Sequence, residues 1–179
     1  MKTEFKLIEE LKLMMSQMPL EEISVSMLAK RCHVKRQTFY YHFHDIYDLL
    51  TLVFLHEKIE KINKITNPQD LVTAIFNYYI KNQQFLDAAL ISAGRDLFET
   101  FINNACQSAF IKLVTDLDPE KRLSPSLRKN IARFYAHAYS STITFYLISS
   151  KKKELEGLLK QFSFLGPNFL KQIVEKQMK

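Results

Sequence analysis

The side chains best suited to chemistry lie in one short run, Val34-Lys35-Arg36-Gln37-Thr38-Phe39-Tyr40-Tyr41-His42-Phe43. Read as a helix, the run has two faces. Phe39 and Phe43 stand four apart and share one face, which Val34 can join. Gln37, Tyr40, Tyr41 and His44 are spaced three, four and seven apart and share another. Arg36 lies beside that second face, and Thr38 and His42 lie on its border. Guanidinium, amide, hydroxyl and imidazole groups gathered in this way suit phosphates and base edges. Arg36 could fork onto guanine and Gln37 onto adenine, each good bidentate pair contributing about 1–3 kcal/mol of discrimination. The hydroxyls of Thr38 and Tyr41 and the His42 ring could fix register on phosphates.

A reading helix needs a scaffold, and the flanking sequence supplies one. Residues 2–17 carry apolar side chains at Phe5, Leu7, Ile8, Leu11, Met14, Met15 and Met18, the spacing of a helix covered on two sides. Pro19 stops it. Ser24 is a good N-cap for a second helix, Val25 to Cys32, with Leu28 and Ala29 inward and Ser26, Lys30 and Arg31 outward. Arg31-Cys32-His33-Val34 forms the turn, with His33 where a left-handed residue, usually Gly, is expected. The reading helix then runs from Lys35 or Arg36 to about Phe43. At about 1.5 Å per residue it is roughly 10 Å long, comparable to a major groove about 12 Å wide. Asp45 caps a fourth helix with Asp48 at its third position, and the stripe Ile46, Leu49, Leu50, Val53, Phe54 carries it to about Asn63.

Asn67-Pro68 is the clearest break. Beyond it, helices are expected at about Gln69–Asn82, Gln84–Ser92, Asp96–Leu117, Pro125–Ser149, Lys152–Phe164 and Pro167–Gln177, punctuated by Gly94, Asp118-Pro119, Ser124-Pro125 and Gly166-Pro167. Only 3 Gly and 5 Pro in 179 residues, with 47% hydrophobic residues, favour an all-α chain with a real core. The organisation expected is a three-helix DNA-binding domain with a helix-turn-helix at 1–45, followed by a helical bundle at 46–179.

The net charge of +6 is unevenly spread. Residues 1–63 hold 9 basic and 9 acidic side chains, so the whole excess lies further on. Yet Ser26 to His44 carries Lys30, Arg31, Lys35 and Arg36 and no acidic residue. Positive charge is thus local to the expected contact surface. Cys32 and Cys106 cannot form a disulfide framework and read as buried thiols in a reducing, cytoplasmic compartment, with no leader peptide at the start. The longest uncharged run, Phe134 to Ser150, is 17 residues long and rich in Ser and Thr, too short and polar for a membrane span.

Other chemistries fit poorly. His33, His42, His44 and His56 have no spacing matched to a carboxylate or Cys partner, so no metal or other cofactor is expected. Asp96 with Glu99, or Asp45 with Asp48, read as caps and solvated faces rather than catalytic pairs, so the chain reads as a non-enzyme. No Gly-rich phosphate loop is present. Lys151-Lys152-Lys153 reads as a solvated turn.

The stretch Ile23-Ser24-Val25-Ser26-Met27-Leu28-Ala29-Lys30, then Val34 to Phe43, then Asp45 and Asp48-Leu49-Leu50, resembles the N-terminal domain of TetR-family transcriptional regulators. The resemblance covers roughly residues 5–55. Asn82-Gln83-Gln84-Phe85-Leu86 looks like the subgroup that includes dihydroxyacetone-kinase regulators. The family implies a homodimer, with each third helix in the major groove of double-stranded DNA at one half of a pseudopalindrome. It also implies a small-molecule effector pocket in the C-terminal domain and last two long helices that pair across the dimer. The residues so implied at DNA are Ser26, Lys35, Arg36, Gln37, Thr38, Tyr40, Tyr41 and His42. Arg36, Gln37 and Tyr40 would reach bases, Thr38, Tyr41 and His42 would hold phosphates, and Ser26 would make a contact from the second helix. Two positions depart from the pattern: His33 replaces the turn Gly, and Ile46 replaces a basic residue that would hold a phosphate. For the effector, the candidates are Tyr78, Tyr135, His137, Tyr139 and Ser141. The function expected is a ligand-responsive regulator, a repressor acting as a homodimer. The alternative is a helical small-molecule-binding or protein-interaction module that has lost specific DNA binding.

Overall fold

The structure, a computed structural model, describes residues 2–149 and 167–178. All regular structure among them is helical, as the composition implies. The α-helices are α1 (Lys2–Met15), α2 (Val25–Arg31), α3 (Arg36–His42), α4 (Ile46–His56), α5 (Pro68–Lys81), α6 (Gln83–Leu90), α7 (Arg95–Leu117), α8 (Pro125–Ile148) and α9 (Pro167–Gln177). Short 3-10 turns lie at Leu20–Glu22 and Ile62–Lys64. The helix expected at Lys152–Phe164 and the lysine turn before it lie outside the described residues. Among the described residues no helix is long and apolar enough to cross a membrane, and no cluster of three His, Cys, Asp or Glu could hold a metal ion.

The chain forms two compact units. The first comprises Met1–Lys58 with Tyr79–Phe101, and the second Ile59–Tyr78 with Ile102–Lys179. In the first, α1 packs on α2, α4 and α6, and α2 packs on α3. Its core is Leu7, Ile8, Leu11, Met14 and Met15 of α1 with Leu28, Phe39, Leu49, Leu50 and Val53. Phe54 brings a second cluster together, its ring 5.7 Å from Phe85, 6.2 Å from Phe98 and 5.8 Å from Phe101. Phe5 does not join the stripe of α1. It is half exposed and meets the His56 ring edge-on at 5.5 Å.

Gly94 is placed by space rather than by backbone conformation. A Cβ there would come 2.7 Å from Leu50 Cδ2, so any larger residue at the start of α7 would require the Leu50 side chain to shift.

The fourth helix is shorter than its apolar stripe suggests. It ends at His56, because Glu57 turns extended at φ −64°, ψ 142°. Glu57 accepts from Lys12 Nζ at 2.5 Å, and Lys12 also lies 5.5 Å from the Phe85 ring. The chain then reverses through Lys61 at φ 63° and buries Ile59 and Ile65.

In the second unit, Asn67 Oδ1 accepts from Asp70 N at the start of α5, and Asp70 Oδ2 accepts from Thr66 N and Oγ1. Ser124 caps α8, accepting from Leu127 N at 3.2 Å, and Pro125 follows where no N–H is needed. The α7–α8 turn is tied by Asp118, whose side chain is fully buried. Its carboxylate accepts from Arg122 N at 2.8 Å, Leu123 N at 3.1 Å and Arg128 Nη2 at 2.9 Å. Burial alone would push this carboxyl up, but the Leu123 amide, the Arg128 guanidinium and the Arg122 amide hold it below the ordinary value.

A carboxyl held low in the folded state stabilises the fold above its unfolded value, and that contribution is lost as pH falls through the folded value. Asp118→Asn should therefore lower Tm by roughly 5–10 °C at neutral pH. Thermal melts followed by circular dichroism should show the gap to wild type closing as pH falls into the acid range. A gap independent of pH would remove the ion pair from this account.

Candidate nucleic-acid interface

The candidate interface is built on the first unit. Ser24 opens α2 by accepting from Met27 N at 3.2 Å. The chain turns through Cys32 and His33, with Val34 N donating back to Ala29 O at 2.9 Å. His33 takes φ 55°, the left-handed conformation expected of it. Lys35 then precedes α3 with no side-chain cap, while Thr38 N donates to its carbonyl at 2.9 Å.

The two faces of α3 are as its spacing implies. Phe39 is fully buried and Phe43 nearly so, their rings 5.5 Å apart. Arg36, Gln37, Tyr40 and His44 are exposed, Tyr41 is 85% exposed, and Thr38 and His42 are half-buried at the border. Ser26 and Lys30 of α2 and Lys35 are also exposed. Every residue expected at DNA therefore keeps at least part of its side chain open, on α2, at the turn or on α3. Arg31 does not share their freedom. Its Nε lies 2.6 Å from Glu10 Oε1 of α1, a charge contact rather than an aligned hydrogen bond, and its Nη1 donates to Gln17 Oε1 at 3.2 Å.

His42 is held from three sides. Its Nδ1 lies 3.5 Å from Glu4 Oε1 on α1, and its ring meets those of Tyr41 at 5.1 Å and Phe43 at 6.0 Å. The Glu4 contact was invisible in sequence because it joins helices far apart in the chain.

The start of α4 is closed by its own carboxylates. Asp45 Oδ1 accepts from Asp48 N at 2.8 Å, and Asp48 Oδ2 accepts from His44 N at 3.1 Å. The first bond satisfies a free donor of the helix end, and the second ties down the residue before the cap. Ile46 between them is buried. The residue that departs from the family pattern thus serves the core.

The five residues expected to line an effector pocket divide between two faces of α8 and a site on α5. Tyr78, Tyr135 and Tyr139 are buried, whereas His137 and Ser141 are exposed. Two residues along a helix is about 200° of rotation, so His137 and Ser141 cannot share the face of Tyr135 and Tyr139. Both of those tyrosine rings lie on Phe110, at 5.5 Å and 4.9 Å. Burial pushes both phenols up, and the Cys106 thiol beside them up to about 12. The Tyr135 hydroxyl has no hydrogen-bond partner among the described residues. His137 Nδ1 instead lies 3.1 Å from Asn103 Nδ2 at the surface of α7. An open cleft of about 300 Å³ is lined by Thr66, Asn67, Pro68, Leu113, Asp116, Leu117 and Leu170. None of the five lines it.

Among the described residues all regular structure is helical, and α2 and α3 meet in the arrangement of a helix-turn-helix whose second helix exposes Arg, Gln, Tyr and His over an apolar anchor. Residues 66–165 match the TetR family described as "Transcriptional regulator C-terminal region", and the chain belongs to this family of transcriptional regulators. It is similar in fold to a solved structure described as the dihydroxyacetone kinase operon activator DhaS, with TM-score 0.67 and 23% identity over 97% of this chain and 96% of that one. No curated protein matches it.

Left-handed backbone costs a non-glycine residue about 1–2 kcal/mol, while glycine adds freedom to the unfolded chain. His33→Gly should therefore stabilise the protein by about 0.5–1 kcal/mol, and the β-branched His33→Val should destabilise it. Urea denaturation midpoints would measure both, and a destabilised glycine variant would contradict the strain at this turn.

Proposed function

We propose that this transcriptional regulator binds a pseudopalindromic operator as a homodimer, with α3 in the major groove, and acts as a ligand-responsive repressor. The observation that carries the reading is the α3 surface, where Arg36, Gln37, Tyr40 and Tyr41 stand exposed above a buried Phe39. Arg36 and Gln37 read base edges with Tyr40, while Ser26, Lys35, Thr38, Tyr41 and His42 hold phosphates. Two half-sites about 34 Å apart require two copies of the chain. Residues 1–45 form the reading head, and residues 46–179 take the effector and the second copy.

Support for the second copy comes from the outer face of α8. Phe134, Ala138, Ser141 and Phe145, spaced four, three and four apart, form an uncharged exposed stripe, with Phe134 68% and Phe145 66% exposed. Water is a poor neighbour for such a stripe, and a second protein surface would cover it. His137 and Ser141 are better assigned to this seam than to a pocket. The effector then falls to the buried side, near Tyr78, Tyr135 and Tyr139. Its binding shifts the population towards a spacing of the two reading helices that no longer fits the operator.

The structural relative is named an activator, which supports a second reading in which operator binding recruits transcription. Deleting this gene and measuring the flanking transcripts separates them, because a repressor's targets rise and an activator's fall.

Titration of duplex DNA from upstream of the gene tests the reading. Wild type should prefer one site over scrambled sequence at moderate salt. Arg36→Ala should relax that preference by tenfold or so. Tyr41→Phe should weaken all sequences alike, by about 0.5–1.5 kcal/mol. A wild type without sequence preference would favour the module that has lost DNA binding.

Sedimentation tests the seam. Wild type at micromolar concentration should be a dimer, and the double variant Phe134→Glu, Phe145→Glu a folded monomer. A dimeric double variant would move the interface elsewhere.

A further inference from the structure

Arg36 does not stand alone on the reading face. Its guanidinium carbon lies 5.9 Å from the centroid of the Tyr40 ring, one helical turn along α3. That ring meets the Phe39 ring edge-on, with centroids 5.5 Å apart and planes at 90°. Phe39 is fully buried. A core ring thus steadies a surface ring, and the surface ring lies under a cation.

The charge around Arg36 leaves this stack as its main restraint. No carboxylate pairs with Arg36 among the described residues, and Ser26 to His44 contains no acidic side chain. Its neighbour Lys35 repels it, and a cation in the first turn opposes the helix dipole. An unrestrained arginine loses rotamer freedom when it forks onto a base, and that loss weakens binding. A guanidinium already held over an aromatic face loses less.

We propose that Tyr40 is a positioning residue for Arg36, its ring presenting the guanidinium fork to the base pair that Arg36 reads. This rests on the DNA-reading function proposed above and goes beyond it. Tyr40 then sets specificity through its ring and through Arg36, and its hydroxyl is dispensable at that base pair.

The test uses the full chain and a randomised duplex library, from which wild type enriches its preferred sequence. Base preference is then measured position by position for four variants. At the base pair whose preference Arg36→Ala abolishes, Tyr40→Leu should reduce preference about two- to fivefold, and Tyr40→Phe should retain it. In the Arg36→Ala background, Tyr40→Leu should cost nothing further at that base pair. In the free protein, the Arg36 δ-methylene protons should be shifted upfield by the Tyr40 ring in wild type and Tyr40→Phe, and not in Tyr40→Leu. The proposal is overturned if Tyr40→Leu leaves that preference intact, if Tyr40→Phe loses as much as Tyr40→Leu, or if the upfield shift is absent. A wild type that enriches no sequence while showing the shift instead overturns the DNA-reading function, and the inference falls with it. The spectrum of the free protein tells the two failures apart.

Discussion

The exposed face of α3 depends on one burial. α3 has only seven residues, well under the length at which an isolated helix is stable in water. It begins without a side-chain cap, and Arg36 in its first turn opposes the dipole. Local propensity cannot hold it. The ring of Phe39, completely removed from water, contributes roughly 2–3 kcal/mol, and Phe43 packs against it one turn later. Because so few residues anchor the helix, its remaining side chains are free to face outward. The same economy makes the turn before it critical. His33 accepts left-handed strain there so that α3 can leave α2 at the angle that buries Phe39.

Electrostatics divides the head more finely than net charge suggests. Arg31, part of the basic run in sequence, is drawn back to Glu10 and Gln17, so Lys30, Lys35 and Arg36 carry the exposed positive charge of that run. On the other side of α3, Asp45 and Asp48 occupy the donors that open α4, and Ile46 is buried where a cation would have faced out. The surface around α3 is therefore basic where α3 begins and acidic where α4 begins. On the proposed function, such a head gains less from general phosphate attraction than a uniformly basic one. More of its selectivity must come from base edges and from the order imposed on the side chains that reach them.

Much of this was legible in the sequence, and the reasons are local. Ser24 and Asp45 are short acceptors placed where helix N–H groups need them, and each caps as its chemistry dictates. Phe39 and Phe43 announced the buried face by spacing alone. His33 could be placed because the turn needs a left-handed residue and few types tolerate one. Where the reading fell short, a distant residue decided. The apolar stripe of α4 implied a helix to about Asn63, but the pairing of Glu57 with Lys12 and the burial of Ile59 and Ile65 end it at His56. Arg31 and His42 each answer to a carboxylate on α1, Glu10 and Glu4, that no periodicity links to them. The glycine at position 94 looked like punctuation, whereas its real constraint is the 2.7 Å approach to Leu50.

α8 shows why the second unit was harder to read than the first. It is aromatic on two sides, with Tyr135 and Tyr139 inward and Phe134 and Phe145 outward. From Phe134 to Ser149 it bears no Lys, Arg, Asp or Glu to mark the wet face, so spacing alone could not say which stripe was core. A shift of one residue rotates a side chain by about 100°, enough to exchange an interior tyrosine for an exposed phenylalanine. The ambiguity is itself informative. A helix meant to face water on one side gains solubility from charge there, and α8 carries its charges earlier, at Arg128, Lys129 and Arg133. Arg128 is drawn into the buried Asp118 site that fixes where the helix begins. The start of α8 is thus pinned by an ion pair, and its remaining length is left uncharged on both faces, a pattern that suits contact with protein on both sides better than contact with solvent.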